Sequence, residues 1–363
     1  MDTPMQLFSK IQNWRKKKAI YKAHNALYSK IFAQHPELFT PEKNEQDWLN
    51  KWRQYDPDVQ LASYRIFSKF IGENLNIMPL ETCAYMVEPT LNSNEKNKFY
   101  DDKNTLHLYL PDNYLPRVLL RNINGIFYDG DYLPLKKDIN SYLNCLKEDK
   151  LIIKPSKECS GHGVQLIYKE GEKYFNFQNE IIDFDYLSKR YKSDFLIQEC
   201  LVQSDFMAQF NQSSVNTVRI FTYRDDSGTI IPMHSIIRIG GKGAHVDNAH
   251  SGGMFCGIKS NGELGNYCCS WLGDKVDTFN NIDFSSNSFY IPNYEAIKDF
   301  SRSIAAKIPF QNLIAMDIAL DKHNNPILLE VNIEGFSAWL FQFTIGPVFD
   351  SYTDEIMKKC INA

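Results

Sequence analysis

The chain has 363 residues, enough for two or three packed lobes, and an apolar share of 43% that is ordinary for a globular protein. Its formal net charge of −4 argues against nucleic acid as the main partner, because phosphate backbones require a basic face. No uninterrupted apolar stretch is long enough to span a bilayer, and no signal-peptide pattern opens the chain, so we expect a cytoplasmic protein.

The eight cysteines form no recognisable metal or redox motif. Cys268 and Cys269 are adjacent, the others are scattered, and no Cys-x-x-Cys pair occurs. We therefore expect reduced thiols that pack as small hydrophobic side chains.

Residues 1–90 are predicted to be mainly helical. Apolar side chains recur at helical spacing near the basic run Arg15–Lys18, namely at Leu7, Phe8, Ile11 and Trp14. One interpretation is a helix on an anionic membrane surface, which would place the protein at the inner face of the membrane. The other, which the pattern favours, is a solvated helix face or a contact between subunits.

Short apolar runs predict strands from Leu151 onward. A first pair, Leu151–Lys154 and Val164–Tyr168, flanks a turn-rich segment, and Phe195–Ile197 follows. Turn sequences then predict two hairpins. Their strands are Val218–Tyr223 with Thr229–Ile239, and Leu313–Leu320 with Ile327–Val331. The Asn- and Ser-rich stretch 274–288 is predicted to be a loop.

The C-terminal hairpin carries the sharpest functional pattern. Its turn is expected to pair Leu320 with Ile327, and this register places Asp317 opposite a second carboxylate, Glu330. Asn332 shares that face, because alternate residues of a strand point the same way. Two opposed carboxylates repel each other unless a cation lies between them, and Mg²⁺ prefers such oxygen ligands. A solvated sheet face with paired surface charges is the alternative.

Lys154 ends a predicted strand and precedes a glycine-rich turn, Glu158–Gly163. Backbone N–H groups approach phosphate oxygens closely only where side chains are small, so the lysine and the turn together predict a phosphate cradle. The turn lacks the Walker A pattern, and the strand after it excludes a dinucleotide-binding fingerprint, which requires a helix there. An ordinary hairpin turn is the alternative.

Arg219 and Arg238 stand within apolar strands and need anionic partners there. Structural salt bridges would satisfy them, and so would a shared anion such as a transferring phosphoryl group. The polar segment His245–Gly253 follows and is typical of a substrate loop, and its histidines lack the partners of a zinc site. Upstream, Gln198–Val202 is a candidate hinge that offers backbone groups to adenine.

In this order the motifs resemble those of the ATP-grasp superfamily, and more closely its sugar-transfer-associated branch, which is related to alpha-L-glutamate ligases. The resemblance covers about residues 60–350 and rests on four segments taken together: Phe99–Asn104, Ser214–Thr222, Asp247–Gly253 and Met316–Asn332. It implies an α+β, ATP-grasp fold in which two lobes of antiparallel sheet clasp ATP. The implied units are residues 1–90 (helical N-terminal region), 91–150 (linker before the ATP lobe), 151–205 (small lobe with the glycine-rich lid loop) and 206–363 (large lobe with metal and acceptor sites).

The resemblance also implies roles for nucleotide-binding residues. Lys103 and Lys154 would touch the phosphates of ATP, and the lid loop would close over them through Ser160, Gly161, His162 and Gly163. The Glu199 carbonyl and the Leu201 N–H would bind adenine, and Asp205 would reach the ribose.

The remaining implied roles concern the metal and the acceptor. Two Mg²⁺ ions would be held by Asp317, Glu330 and Asn332. The catalytic side chains, which would steady the transferred phosphate or face the acceptor, would be Arg219, Arg238 and Asn248. The substrate would be bound by Asn216, Asp247, His250, Ser251, Gly252 and Gly253.

The activity implied by the resemblance is that of a carboxylate–amine ligase. ATP phosphorylates a carboxylate, and an amine then displaces phosphate from the acyl phosphate to give an amide. A role in cell-surface polysaccharide biosynthesis is implied as well, with small-molecule or glycan-linked substrates such as an amino acid and a sugar acid. A kinase of the same fold and a non-catalytic nucleotide-binding protein are the alternatives. No motif indicates the oligomeric state.

Overall fold

The computed structural model describes residues 4–158, 161–243 and 252–362. The helices in these residues are α1 (Pro4–Gln34), α2 (Glu45–Arg53), α3 (Ala62–Ile71), α4 (Leu80–Thr82), α5 (Glu88–Leu91), α6 (Asn94–Tyr100), α7 (Leu106–Tyr109), α8 (Ile139–Cys145), α9 (Phe184–Arg190), α10 (Asp205–Ala208), α11 (Tyr294–Ala306), α12 (Ala338–Gln342) and α13 (Thr353–Asn362). The strands are β1 (Val118–Ile123), β2 (Ile126–Asp129), β3 (Lys150–Pro155), β4 (Gln165–Glu170), β5 (Lys173–Phe175), β6 (Phe195–Glu199), β7 (Thr217–Arg224), β8 (Ile230–Ile239), β9 (Met254–Ile258), β10 (Cys268–Cys269), β11 (Lys275–Val276), β12 (Thr278–Phe279), β13 (Ile282–Asp283), β14 (Leu313–Leu320) and β15 (Pro326–Asn332).

The first lobe is built on a six-stranded antiparallel sheet with the order β2-β1-β6-β3-β4-β5. One face of this sheet, with Leu151 and Ile153 of β3, packs against apolar side chains of α8 and α9. Lys154 points to the opposite face, because successive side chains of a strand alternate.

The first lobe begins earlier than its predicted boundary at residue 151. Strands β1 and β2 lie in the segment 91–150, which we assigned to a linker, and β1 pairs with β6 of the same sheet. The sequence conceals β1 because Arg121 interrupts its apolar pattern.

The second lobe is built on a seven-stranded antiparallel sheet with the order β11-β10-β9-β8-β7-β14-β15. Every residue of β14 is buried, which explains its nearly continuous apolar sequence. The predicted loop 274–288 instead contains the short strands β11, β12 and β13, which its polar composition conceals. The described cysteines are free thiols, as predicted.

The helical N-terminal region is confirmed, and it forms part of the core of the second lobe. Trp48 and Trp52 of α2 are fully buried in one apolar cluster with Phe221 and Tyr223 of β7. Each indole N–H donates a hydrogen bond to a backbone carbonyl, at 2.9 Å for Trp48 and 3.0 Å for Trp52. Among the described residues, no helix combines the length and the apolar character needed to cross a membrane.

Candidate functional site

The β14–β15 hairpin brings together the two carboxylates that the sequence singled out. Asp317 is paired directly with Glu330, as predicted, although the predicted pairing of Leu320 with Ile327 is wrong. Leu320 pairs with Pro326 because the turn is one residue tighter. A β-bulge at Leu329 then shifts the register back by one residue. The tighter turn and the bulge, which are the two differences from the predicted hairpin, cancel, so Asp317 still faces Glu330.

Asp317 is 4% exposed and is already neutralised within its own sheet. Its carboxylate accepts two hydrogen bonds of 2.7 Å from Arg219 and one of 2.8 Å from Arg238. Burial raises the pKa of Asp317, but the two guanidinium groups outweigh burial and hold the pKa well below its usual range.

These ion pairs correct one step of the sequence argument. The facing carboxylates do not by themselves require a metal, because Arg219 and Arg238 supply the positive charge beside Asp317. The sequence left open whether structural salt bridges neutralise these arginines, and both form them with Asp317. Their contact with a transferred phosphate stays a prediction.

Glu330 is neutralised by Lys103, which lies between α6 and α7. The Lys103 ammonium lies 2.8 Å from a carboxylate oxygen of Glu330 and donates a second hydrogen bond of 2.8 Å to the Glu158 carbonyl. The backbone N–H of Lys103 donates to the Ser156 carbonyl at 2.9 Å. Lys103 therefore ties the β14–β15 hairpin to the segment that leads into the glycine-rich loop.

Lys154 also reaches across to the hairpin. Its ammonium donates a hydrogen bond of 3.5 Å to the Leu329 carbonyl, and the residue is 9% exposed. Burial lowers the pKa of Lys154 to about 7, helped by the positive charges of Lys103 and Arg121 and opposed by Glu330. Two buried lysines and one carboxylate thus converge between the lobes, and a bound anion would favour the positively charged form of Lys154.

Sequence reasoning missed Arg121, which adds to this positive charge. Arg121 and Lys154 both pair with Leu196 of β6, so they occupy one row on the same face of the first sheet. Arg121 is fully buried, its guanidinium lies 4.1 Å from the ring centroid of Tyr132, and it donates to the Asn104 carbonyl at 3.4 Å. Arg121 interrupts an apolar run, which is the pattern that made Arg219 a candidate. The sequence could therefore have identified Arg121 in the same way.

The glycine-rich loop has the backbone geometry that glycine permits. Gly161 and Gly163 adopt φ values of +72° and +73°. A Cβ on Gly163 would lie 2.8 Å from Cγ of Pro155, and the Tyr191 hydroxyl donates to the Gly163 carbonyl at 2.9 Å. His162 is exposed at the tip. Ser160 lies outside the described residues.

The predicted adenine hinge follows β6 at the far end of the same sheet. The Glu199 backbone N–H donates to the Arg117 carbonyl at 2.9 Å, and the Glu199 carboxylate accepts from the Arg117 N–H at 2.8 Å. Leu201 is half-buried, and Asp205 is exposed at the first residue of α10. The adenine and ribose contacts stay predictions.

The predicted acceptor loop is described only at its ends. Asp247, Asn248, His250 and Ser251 lie outside the described residues. Beyond them, Gly252 has a φ of +83°, and Gly253 is buried. A Cβ on Gly241 would lie 2.9 Å from the Gly252 carbonyl oxygen, so the two ends of the loop are in close contact.

Asn216 supports the base of that loop. It is fully buried, and its amide nitrogen donates to the carbonyls of Met207 (2.8 Å) and Asn211 (2.9 Å). Its amide oxygen accepts from the Gly240 N–H at 3.2 Å. The structure therefore gives Asn216 a positioning role, and direct substrate contact stays a prediction.

The oxygen donors of the hairpin fit a Mg²⁺ ion. No three His, Cys, Asp or Glu side chains converge in the described parts of the chain, so an amide must complete the set. Asn332 pairs with Ala315 beside the carboxylates, and its buried amide nitrogen has no hydrogen-bond partner. Asp317, Glu330 and Asn332 together offer the hard oxygen ligands that Mg²⁺ prefers.

The chain is similar to a known protein family and to several solved structures. A model of the sugar-transfer associated ATP-grasp family matches residues 85–358. A comparison with curated proteins gave no match. One similar solved structure is an L-amino acid ligase from Bacillus licheniformis, at 13% identity, covering 68% of this chain and 43% of that one, with a TM-score of 0.35.

Two further solved structures are similar to a comparable degree. VanG D-Ala:D-Ser ligase from Enterococcus faecalis has 12% identity, coverage of 73% of this chain and 61% of that one, and a TM-score of 0.40. The ATP-grasp ligase PsnB, complexed with a minimal precursor, Mg and ADP, has 12% identity, coverage of 75% and 62%, and a TM-score of 0.40. The chain spans less than two thirds of each of these three proteins.

Proposed function

The chain belongs to the sugar-transfer associated ATP-grasp family, and on that premise we propose that it is an ATP-dependent ligase that joins a carboxylate to an amine. Mg²⁺ is the proposed metal of its nucleotide site. The proposed reaction forms an acyl phosphate and ADP from a carboxylate and ATP. The amine then attacks the acyl carbon, phosphate leaves, and an amide remains.

The observation that carries this proposal is the meeting of the two lobes at the β14–β15 hairpin. Lys103, between α6 and α7, lies 2.8 Å from Glu330 of the second lobe, and Lys154 of the first lobe donates to the neighbouring carbonyl of Leu329 at 3.5 Å. Buried cations thus stand against a set of oxygen ligands, with the glycine-rich loop beside them. This combination suits a nucleotide triphosphate that carries a divalent metal.

Phosphoryl transfer depends on positioning and charge neutralisation more than on a strong base. Bound Mg²⁺-ATP supplies the phosphoryl group and the metal charge. Lys103 and Lys154 place positive charge where phosphate oxygens would lie, and Asp317, Glu330 and Asn332 would hold the metal. The backbone at Gly161 and Gly163 would close over the phosphates and limit the entry of water.

The proposed substrate class rests on the family description alone. A sugar-transfer association favours a glycan-linked or small sugar acid as the carboxylate and an amino acid as the amine. Cell-surface polysaccharide biosynthesis is the setting we propose for that reaction.

An ADP-release screen of sugar acids paired with amino acids tests the proposal. We expect ADP only when both substrates are present, and hydroxylamine should trap the acyl phosphate when the amine is omitted. A stable phosphorylated product without an amide would favour a kinase. If Mg²⁺-ATP fails to raise the melting temperature of the protein, both enzymatic interpretations fail.

A further inference from the structure

A basic surface on α1 has no role in the proposed reaction. Helix α1 contains seven Lys and Arg residues and no Asp or Glu, whereas the whole chain has a net charge of −4. The remainder of the chain is therefore acidic, and α1 is a strongly basic segment at its edge. Such asymmetry points to a partner that carries negative charge.

Contacts on one side of α1 fix its rotation. Lys17 forms ion pairs with Asp56 at 2.7 Å and Asp58 at 2.6 Å. Three turns further along, the hydroxyl of the buried Tyr28 donates to Glu81 at 2.6 Å. These contacts hold one side of the helix against the protein.

Residues 11–22 of α1 also present cations beside exposed apolar groups. The side chains at i, i+3, i+4, i+7 and i+11 share one exposed face, which we call the basic face: Ile11, Trp14, Arg15, Lys18 and Lys22. Trp14 is 60% exposed and Ile11 is 42% exposed. The Lys18 ammonium lies 5.1 Å from the centroid of the Trp14 ring, so cation and ring are presented together.

We propose that the basic face of α1 docks the protein on a membrane surface that contains anionic lipids. Tryptophan and isoleucine beside Lys and Arg suit this boundary, where apolar side chains enter between headgroups and cations meet lipid phosphates. The sequence alone favoured a solvated face. The exposure of Trp14 and Ile11 beside these cations changes that preference.

The basic face fits a lipid surface better than a nucleic acid. A duplex would pair with Arg15, Lys18 and Lys22 but would leave the exposed Trp14 and Ile11 without partners. This docking is independent of the proposed ligase activity.

Sedimentation of the full chain with lipid vesicles tests the proposal. We expect binding to vesicles of phosphatidylcholine and phosphatidylglycerol in roughly equal amounts, and no binding to pure phosphatidylcholine. Binding should weaken as salt screens the exposed charges. Each cation near such a surface strengthens binding about fivefold, so R15E/K18E/K22E should weaken it by on the order of 100-fold or more.

Two further variants separate charge from fold and from the apolar contribution. K136E/K137E/K147E makes the same charge change at exposed lysines of the first lobe and should bind vesicles like the wild-type chain. W14A should weaken vesicle binding without lowering the melting temperature, because the Trp14 side chain is largely exposed.

Three results would overturn the proposal. If R15E/K18E/K22E and K136E/K137E/K147E bind anionic vesicles equally well, the basic face has no role in docking. If the wild-type chain binds neutral vesicles as well as it binds anionic vesicles, lipid charge has no role. Binding of the wild-type chain to a DNA duplex but not to anionic vesicles would identify a nucleic acid as the partner.

Discussion

Asp317 and Glu330 lie directly opposite each other on one hairpin, and each is neutralised from a different side of the site. Arg219 of the neighbouring strand donates two hydrogen bonds of 2.7 Å to Asp317. Lys103, between α6 and α7, lies 2.8 Å from Glu330. The first ion pair lies within one sheet and the second joins the sheet to a separate segment, so the two carboxylates should respond differently to substitution.

Asp317→Asn should destabilise the fold. The substitution leaves the buried Arg219 and the half-buried Arg238 without their shared carboxylate, and breaking such a buried pair costs about 3–5 kcal/mol. Urea denaturation measures the loss. Arg219→Met should cost less in the Asp317→Asn background than in the native chain, because the ion pair is already broken. Equal costs in the two backgrounds would show that the pair does not contribute to stability.

Glu330→Gln should remove activity and largely preserve the fold. Lys103 retains its hydrogen bond of 2.8 Å to the Glu158 carbonyl, so it keeps one partner. Loss of a metal ligand should lower ADP formation by on the order of 100-fold or more. Glu334→Gln is the matched control, since Glu334 is exposed four residues further along and outside the oxygen donors. Unchanged turnover in Glu330→Gln would remove the metal assignment.

Binding of Mg²⁺-ATP above pH 7 should take up a proton at Lys154. Burial lowers the pKa of this lysine from 10.5 to about 7, so much of it is neutral in the ligand-free protein above that pH. A phosphate beside it favours the ammonium form and raises the pKa. Calorimetry in two buffers of different ionisation enthalpy, at about pH 8, measures the uptake. Lys154→Met should abolish it, and equal uptake by that variant would assign the proton elsewhere.

The same lysine sets a pH dependence of stability. Between the folded pKa of about 7 and the unfolded value of 10.5, the unfolded chain binds a proton that the folded chain lacks. The contribution of Lys154 to the free energy of unfolding therefore rises as the pH rises through this window. Denaturation of the wild-type chain and of Lys154→Met should diverge there, and parallel curves would contradict the lowered pKa.

Gly163→Ala should weaken nucleotide binding more than it weakens the fold. Gly163 has a φ of +73°, and a Cβ there would lie 2.8 Å from Cγ of Pro155. Gly171→Ala is the control, because Gly171 has a φ of +62° and a Cβ there would meet no atom within 4 Å. Both substitutions impose about 1–2 kcal/mol of backbone strain. Only Gly163→Ala should raise the KM for Mg²⁺-ATP, and similar KM values would exclude a role for this loop.

Local patterns were sufficient to predict the two hairpins, but not the tighter turn and the bulge at Leu329 that together bring Asp317 opposite Glu330. The turn at Asp321 and the apolar strands on either side are encoded within a short stretch, and alternation then assigns each side chain to a face. Local patterns could not predict that Lys103 would reach Glu330 or that Arg219 would neutralise Asp317. These contacts depend on how distant segments pack, which no spacing within one hairpin specifies.

Arg121 explains why the sequence did not predict strand β1, with which the first lobe begins. A charged residue in a short apolar strand lowers the strand signal, although the sheet can accommodate the charge when its guanidinium stacks on a ring and donates to backbone carbonyls. The same residue that concealed β1 therefore belongs to the positive side of the candidate site.

The bulge in β15 sets the contact between the lobes as well as the pairing of carboxylates. Leu329 is the extra residue of that bulge, and its carbonyl is the one that accepts the hydrogen bond from Lys154. Without the bulge, the register that pairs Ile318 with Leu328 would continue and place Leu329, not Glu330, opposite Asp317. The bulged residue Leu329 thus links the pairing of the proposed metal ligands to the contact between the two lobes.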